Sequence, residues 1–176
     1  MIDRLETEHL ILRKAEPRDL DAIWSNIWRD ETVAETMLWT PTPTREAAQS
    51  RLARTIAYQK DYYGYFVCLK ETDEPIGFAG IREPEPGVWD ETGICIARAY
   101  QSRGYGKETL GALLDLAFDR LGGRRFCYSC FRKNRISAAL CRGFGFAYSR
   151  STYITRERDG KRFLTDVYVL ERREET

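Results

Sequence analysis

Two glycines stand at the start of an apolar, leucine-rich stretch in the segment Tyr100–Phe118, which reads "YQSRGYGKETLGALLDLAF". Glycine costs conformational order, so Gly104 and Gly106 indicate that something must approach the backbone closely. The first N–H groups of a helix have no partner within the helix, and the helix dipole adds positive potential there. A glycine turn that leads from a strand into a helix therefore suits a phosphate group. An isolated Gly-x-Gly is more often a tight turn alone.

Two common phosphate-binding motifs do not fit this segment. A Walker A loop needs glycine where Gln101 stands, and serine or threonine where Glu108 stands. A dinucleotide-binding Gly-x-Gly-x-x-Gly needs a third glycine where Thr109 stands. The pattern that remains is Gln-x-x-Gly-x-Gly, from Gln101 to Gly106.

The cysteines do not indicate a metal site or disulfides. There are five, an odd number, and most lie within apolar patterns, which is typical of the reduced thiols of a cytosolic protein. Cys127 and Cys130 lie in a strand-like run, where positions three apart point to opposite faces. The chain has one histidine, His9. Because a structural zinc site needs four ligands, we expect no metal.

Length and composition indicate one globular domain over residues 1–176, with 43% hydrophobic and 31% charged residues. The net charge of +1 argues against a dedicated nucleic-acid-binding protein. No long apolar run indicates a signal peptide or a membrane span, so we expect a cytoplasmic protein without membrane partners.

Helical and strand patterns are mixed along the chain without a repeat or a linker, which predicts a mixed α/β fold. Helices are expected after Pro17, from a cap at Thr44 to about Asp61, and from the glycine turn to Leu121. A short helix is expected over "RISAALCRGF", a loop over "REPEPG", and a hairpin turn at Asp159-Gly160. The strand segments are "HLILRKA", "YGYFVCLKE", "IGFAGI", "VWDETGICIA", "RRFCYSCF" and the two strands that flank the final hairpin turn.

The Gln-x-x-Gly-x-Gly pattern resembles the pyrophosphate loop of the GCN5-related N-acetyltransferase (GNAT) superfamily. Its ribosomal-protein N-terminal acetyltransferase (RimJ/RimL-like) branch carries Glu-x-Gly on the fourth strand, which "DETGICIA" resembles. That branch also carries Asn-x-x-Ser before a terminal Gly-Phe, as in "KNRISAALCRGFGF". The likeness covers essentially the whole chain. It implies a central, mostly antiparallel sheet of about seven strands, splayed between strands four and five, with about four flanking helices.

The resemblance implies that the chain binds acetyl-coenzyme A and needs no metal. Backbone N–H groups of the loop would hold the pyrophosphate, the fourth strand would run beside the pantetheine and the acetyl carbonyl, and Asn134 would contact the pantetheine. Asparagine and serine at a helix start are also typical caps. The implied cofactor-binding residues are Ile94, Cys95, Ile96, Gln101, Ser102, Arg103, Gly104, Tyr105, Gly106, Lys107, Asn134 and Ser137.

The resemblance also implies catalytic residues. Glu91 occupies the position of the branch's strand-four carboxylate and is the candidate base, acting through water; the alternative is a solvated charge next to Asp90. Ser137 would protonate the leaving thiolate, directly or through water. Relatives often carry a tyrosine as general acid where this chain has Cys141. The acid is therefore Ser137 or no single residue.

The acceptor must be an unprotonated amine. An α-amine has a pKa of about 8 and a lysine of about 10.4, so freeing a lysine costs roughly 3 kcal/mol more at neutral pH. This favours an α-amine, such as that of a protein N-terminus, or a small, weakly basic amine over a lysine. Trp39 and Tyr153 are proposed to line the acceptor cleft, and Glu31 and Glu35 are proposed to attract a cationic amine.

Several alternatives stay open at this stage. The acceptor can instead be a small-molecule amine, such as a metabolite, an amino acid or an antibiotic. The donor can carry a longer acyl group such as succinyl. The chain can also be a non-catalytic acyl-coenzyme A-binding regulatory module, and a homodimer is allowed.

Overall fold

The computed structural model describes residues 1–172. This part of the chain is a mixed α/β fold, as the sequence predicted. It has eight strands and five α-helices. The elements are β1 (Arg4–Glu6), β2 (Leu10–Arg13), α1 (Leu20–Ile23), α2 (Glu31–Ala34), α3 (Arg45–Asp61), β3 (Tyr63–Leu69), β4 (Pro75–Glu85), β5 (Val88–Ile96), α4 (Tyr105–Asp115), β6 (Arg125–Phe131), α5 (Arg135–Gly143), β7 (Ala147–Thr155) and β8 (Arg162–Glu171).

The strands form one sheet in the order β1-β2-β3-β4-β5-β6-β8-β7. Of the pairs whose register is described, β5–β6 is parallel and the others are antiparallel. The parallel register runs from Val88–Arg125 to Asp90–Cys127. The mostly antiparallel sheet is thus confirmed, with one strand more than expected because Arg4–Glu6 pairs with β2.

The additional helix is α2, which is short and begins at an N-cap. The Asp30 side chain accepts hydrogen bonds from the backbone N–H groups of Thr32 and Val33, so it satisfies two donors that the helix leaves open. The longer α3 begins as predicted, since Thr44 Oγ1 accepts from Ala47 N at 3.2 Å. It also ends at Asp61, as predicted.

The loop predicted over "REPEPG" is shorter than expected, so this prediction is wrong in its extent. β4 continues through Glu85, and the connection to β5 shortens to the two-residue turn Pro86–Gly87. Gly87 has a φ of +75°, a positive value that a Pro-Gly turn needs at its second central residue and that glycine adopts readily. Arg82–Glu85 are exposed, so their charges remain hydrated while their backbone lies in the strand. The hairpin turn at Asp159-Gly160 is confirmed, with a φ of +66° at Gly160.

The chain divides into two compact units. The first comprises residues 1–81 and 92–113, and the second comprises residues 82–91 and the chain from Leu114 onward. The core of the first unit contains Ile23, Ile27, Trp28 and Phe66, each no more than 2% exposed. In the second unit, the Phe126 ring meets Phe118 and Phe146 edge-to-face. The single domain over residues 1–176 stays a prediction, and its last four residues lie outside the described range.

The cysteines are free thiols, and four of the five are buried, with Cys127 half-buried. Burial raises the pKa of all five, to about 12 for Cys68 and Cys95 and to about 11 for Cys130. Within residues 1–172, no group of histidine, cysteine or acidic side chains is arranged to hold a metal ion. None of the helices described above is both long and apolar enough to cross a membrane.

Candidate active site

The glycine turn connects β5 to α4 within the first unit. Gln101 Nε2 donates to the Ile96 carbonyl at 2.9 Å, so this glutamine joins the loop to the end of β5. Ser102 and Gly104 have φ values of +62° and +83°, and residues 101–104 are exposed. A Cβ added at Gly104 would meet no atom within 4 Å. The loop therefore leaves open space in front of the first turn of α4, whose N–H groups have no intrahelical acceptors.

A carboxylate holds the start of α4 in place. Glu108 accepts hydrogen bonds from the Thr7 hydroxyl, from His9 N at 2.6 Å and from His9 Nδ1 at 3.1 Å. Burial by itself would raise the pKa of Glu108, but these hydrogen bonds outweigh burial and hold the pKa below its ordinary value. The loop and its helix are thus anchored to the N-terminal segment before any ligand binds.

The second half of β5 lies unusually close to β4. A Cβ at Gly77 would come within 2.1 Å of the Cys95 carbonyl oxygen, and one at Gly80 within 2.7 Å of Thr92 Oγ1. Only glycine permits these approaches, so Gly77 and Gly80 fix the path of the strand. Cys95 and Ile96 are buried and Ile94 is half-buried, so these strand residues also pack in the core.

In the second unit, α5 presents the two polar residues singled out from the sequence. Asn134 is the N-cap, and its Oδ1 accepts from Ser137 N at 3.1 Å. The Asn134 side-chain oxygen therefore caps the helix, as the alternative interpretation of this pair predicted. The Asn134 Nδ2 group has no acceptor among the described residues, so it is available to a ligand carbonyl.

Tyr128 is a functional candidate that sequence reasoning missed. Its hydroxyl lies 2.6 Å from Ser137 Oγ, where either atom can donate. Its side chain comes from β6 and is buried. Burial raises the pKa of Tyr128, and the Glu91 charge raises it further. In the second unit, the Glu91 charge therefore acts on the Tyr128 hydroxyl, which in turn contacts Ser137. Cys141 is fully buried and its thiol donates to the Ala138 carbonyl at 3.3 Å, so it is a core residue.

The residues proposed to line the acceptor cleft differ in their surroundings. In the first unit, Trp39 lines a cavity of about 550 Å³, whereas Glu35 is exposed and lies outside that lining. In the second unit, Tyr153 is 59% exposed on β7, with the Arg162 guanidinium 4.6 Å from its ring centre. Arg51 and Arg54 also line the Trp39 cavity. They were not singled out from the sequence, because arginines along a helix are usually solvated.

Comparison with known proteins decides the family. The model of the acetyltransferase (GNAT) domain matches residues 9–147. The chain belongs to the GNAT acetyltransferase family. It is therefore an acyltransferase, as the glycine loop suggested, and GNAT domains use acetyl-coenzyme A as donor. A comparison with curated proteins finds no significant match.

Solved structures share this GNAT fold over nearly the whole chain. A GNAT-family protein from Chromobacterium violaceum is 27% identical, with a TM-score of 0.80 over 96% of this chain and 85% of that one. A Vibrio cholerae protein assigned as a ribosomal-protein-serine acetyltransferase is 24% identical, with a TM-score of 0.79 over 96% and 97%. RimL, a ribosomal L7/L12 α-N-protein acetyltransferase, is 18% identical, with a TM-score of 0.78 over 97% and 95%.

Asn134 offers a test of the GNAT cofactor assignment that separates folding from binding. Asn134→Asp keeps an oxygen that caps α5 and adds charge that a helix N-terminus favours, but it removes the amide donor. We expect an unchanged melting temperature and about 10-fold weaker coenzyme A binding by calorimetry. Asn134→Ala is the matched control, because it also removes the cap and should lower stability by about 1 kcal/mol. Unchanged affinity in Asn134→Asp would remove this residue from the site.

Proposed function

We propose that this GNAT protein transfers the acetyl group of acetyl-coenzyme A to an α-amine at a protein N-terminus. The observation that carries the proposal is the exposed glycine turn, with open space at Gly104 in front of the first turn of α4. That arrangement suits a pyrophosphate. RimL, the ribosomal L7/L12 α-N-protein acetyltransferase, has the same fold. The lower pKa of α-amines compared with lysines favours such an acceptor.

In the proposed reaction, the residues of the loop bind and orient the cofactor. Backbone N–H groups from Ser102 through Lys107 hold the pyrophosphate, and Ile94, Cys95 and Ile96 run beside the pantetheine and the acetyl carbonyl. Gln101 holds the loop against the end of β5, as its hydrogen bond to Ile96 indicates. Arg103 and Lys107 add positive charge beside the phosphates.

The chemical step forms one bond and breaks one. The neutral amine attacks the thioester carbonyl carbon, the new C–N bond forms, and the C–S bond breaks with its electron pair on sulfur. The proton of the amine passes through water to Glu91. The thiolate takes a proton from the Ser137 hydroxyl, and Ser137 is reprotonated from the Tyr128 phenol. The Tyr128 phenolate then regains a proton from water, and Glu91 releases the amine proton to water, so that both groups return to their starting states. The hydrogen bond between Tyr128 and Ser137 supports this relay.

The relay predicts that Tyr128 and Ser137 act as one unit. Tyr128→Phe and Ser137→Ala should each lower kcat about 10-fold, and the double variant should lose little more than either single one, because both remove the same proton path. Stopped-flow measurement of coenzyme A release on the three variants and the parent tests this. If the two losses multiply, the residues act independently and the relay is wrong.

The function itself is tested by binding followed by turnover. Calorimetric titration with acetyl-coenzyme A measures binding, and thiol release is then followed on three acceptors: a peptide with a free N-terminus, an N-blocked peptide with one lysine, and small amines. Release with the free N-terminus supports the proposal, and release with small amines alone supports the metabolite acetyltransferase. Binding without release on any acceptor supports a regulatory acyl-coenzyme A-binding module. A succinyl-coenzyme A titration tests the longer donor.

A further inference from the structure

Two cavities of the first unit share part of their lining. The larger, of about 550 Å³, lies against Trp39 and the segment Thr40–Pro43, and the smaller, of about 280 Å³, reaches Thr92 and Gly93 of β5. Arg51, Thr55 and Tyr58 of α3 line both cavities. These three side chains thus connect a roomy, aromatic-walled space to the strand that leads into Ile94–Ile96.

Arg51 is the most distinctive group in this lining. Its guanidinium contacts two indole rings, 4.6 Å from the centre of Trp28 and 4.9 Å from that of Trp39. Its Nη1 donates to Thr42 Oγ1 at 2.9 Å and to the Thr40 carbonyl at 3.3 Å. The ring contacts and these two hydrogen bonds restrict the guanidinium group, so that it has less side-chain entropy to lose when a ligand binds.

Within the described part of the chain, the remaining donors of Arg51 have no hydrogen-bond partner. Among residues 1–172, nothing accepts from its Nε or Nη2, and no acidic side chain lines either cavity. The Nε1 group of Trp39 is also buried without a hydrogen-bond partner in that part of the chain. Burial, together with the nearby charge of Arg54, lowers the pKa of Arg51 to about 10. A half-buried cation without an acid is an arrangement that an anionic ligand would stabilise.

The Arg51 charge is close enough to β5 to act on the strand that carries the proposed acetyl site. It opposes the effect of burial on the Cys95 thiol, whose pKa burial raises. Cys95 is the central residue of Ile94–Ile96, and the smaller cavity extends to the two residues just before them. A ligand anchored at Arg51 would therefore extend along the cavity towards this part of β5.

We propose that the amine acceptor carries a carboxylate and that Arg51 binds this carboxylate in a bidentate manner, with the amine directed towards Ile94–Ile96. The inference rests on the proposed acetyl transfer and specifies its acceptor. Glu35, which the sequence suggested as an attractor of a cationic acceptor, lies outside the lining of the cavity. The carboxylate can belong to a free amino acid or to an acidic side chain next to a peptide N-terminus, and the experiment separates these two sources.

The test compares matched acceptors that differ only in the carboxylate. One arm compares free phenylalanine with phenylalanine amide, and the other compares amidated tripeptides with aspartate or asparagine at the second position. We expect the carboxylate member of one pair to have a kcat/KM about 10- to 100-fold higher, as for a charge-assisted hydrogen bond. The amide has the less basic amine, so amine ionisation works against this preference.

Three variants assign the preference to Arg51. Arg51→Met keeps an unbranched stem against the tryptophans and removes the charge, so the ratio within the pair should fall to about one. Arg51→Lys keeps the charge without the planar fork and should retain part of the ratio. Arg45→Met is the matched control, because Arg45 is an exposed residue of the same helix that pairs with Asp21 outside both cavities. It should keep the full ratio.

A second readout does not depend on turnover. Titration with N-acetylphenylalanine and its amide, and with the N-acetylated forms of the aspartate and asparagine tripeptides, should change the tryptophan fluorescence of the parent protein for the acid of the preferred pair only. This response should be absent in Arg51→Met. Equal kcat/KM within both pairs, an unchanged ratio in Arg51→Met, or equal fluorescence responses to the two members of both pairs would overturn the inference. Failure to bind acetyl-coenzyme A overturns the proposed function instead, and the fluorescence titration still decides the carboxylate site.

Discussion

Replacement of Gly104 by valine is expected to weaken coenzyme A binding by at least about 100-fold, because it fills the space in front of the α4 N–H groups. Two effects contribute. A side chain at a φ of +83° costs roughly 1–2 kcal/mol of backbone energy. The isopropyl group would also occupy the open space beside Gly104, where no protein atom lies within 4 Å. Since nothing in the free protein is displaced, the second effect acts on the ligand alone.

Gly122→Val separates these two effects. Gly122 has a φ of +68° and also has no atom within 4 Å of an added Cβ, but it follows the end of the helical segment rather than opening it. Both variants should lose similar amounts of stability in thermal unfolding, and only Gly104→Val should lose binding in calorimetry. If both variants bind coenzyme A as the parent does, the glycine turn is a structural turn only and the cofactor lies elsewhere.

Replacement of Glu91 by glutamine is expected to lower kcat/KM at pH 7 by at least about 100-fold, within the range of a lost general base. Glu91 is half-buried in β5, and its charge raises the pKa of Tyr128 and of Cys130. The amide has nearly the same shape and cannot accept the proton. Calorimetry should therefore show unchanged acetyl-coenzyme A binding. The loss should shrink above pH 8, because the α-amine acceptor is then largely neutral without help.

Asp90→Asn is the control for a general effect of charge on this strand. Asp90 is the neighbouring carboxylate and pairs with Arg82 at 3.3 Å. Its replacement removes the same unit of charge one residue away and should leave kcat/KM within about 2-fold, as an exposed ion pair contributes little. Equal losses in the two variants would show that Glu91 acts through its charge on the strand and not as the proton acceptor.

Local patterns account for much of the fold that the sequence predicted. The cap at Thr44, the stop at Asp61 and the turn at Gly160 each depend on residues within a few positions of one another, and all three are confirmed. The strand end at Glu85 was missed because four exposed, mostly charged residues read as a loop. Their place in β4 follows from the two-residue turn that leads directly into the neighbouring strand β5, and residue type alone does not report this.

In the candidate site, too, the residues that local patterns mark were found from the sequence. The glycine turn is a contiguous motif, and Asn134 and Ser137 have a characteristic spacing at a helix start. Tyr128 could not be found in this way, because a tyrosine in an apolar strand is typical of a core and its contact with Ser137 depends on how α5 packs on β6. Arg51 was missed for a similar reason, since its two tryptophan neighbours lie 12 and 23 positions away in the sequence.

The state of the cysteines has a practical consequence for following the reaction. Four of the five thiols are buried, and burial keeps the pKa of every one above its ordinary value. Thiolates are the species that react with disulfide and maleimide reagents. The thiols of the folded enzyme should therefore react only slowly with these reagents at neutral pH. A chromogenic thiol reagent added during turnover therefore counts the coenzyme A released, with Cys127 as the main source of background.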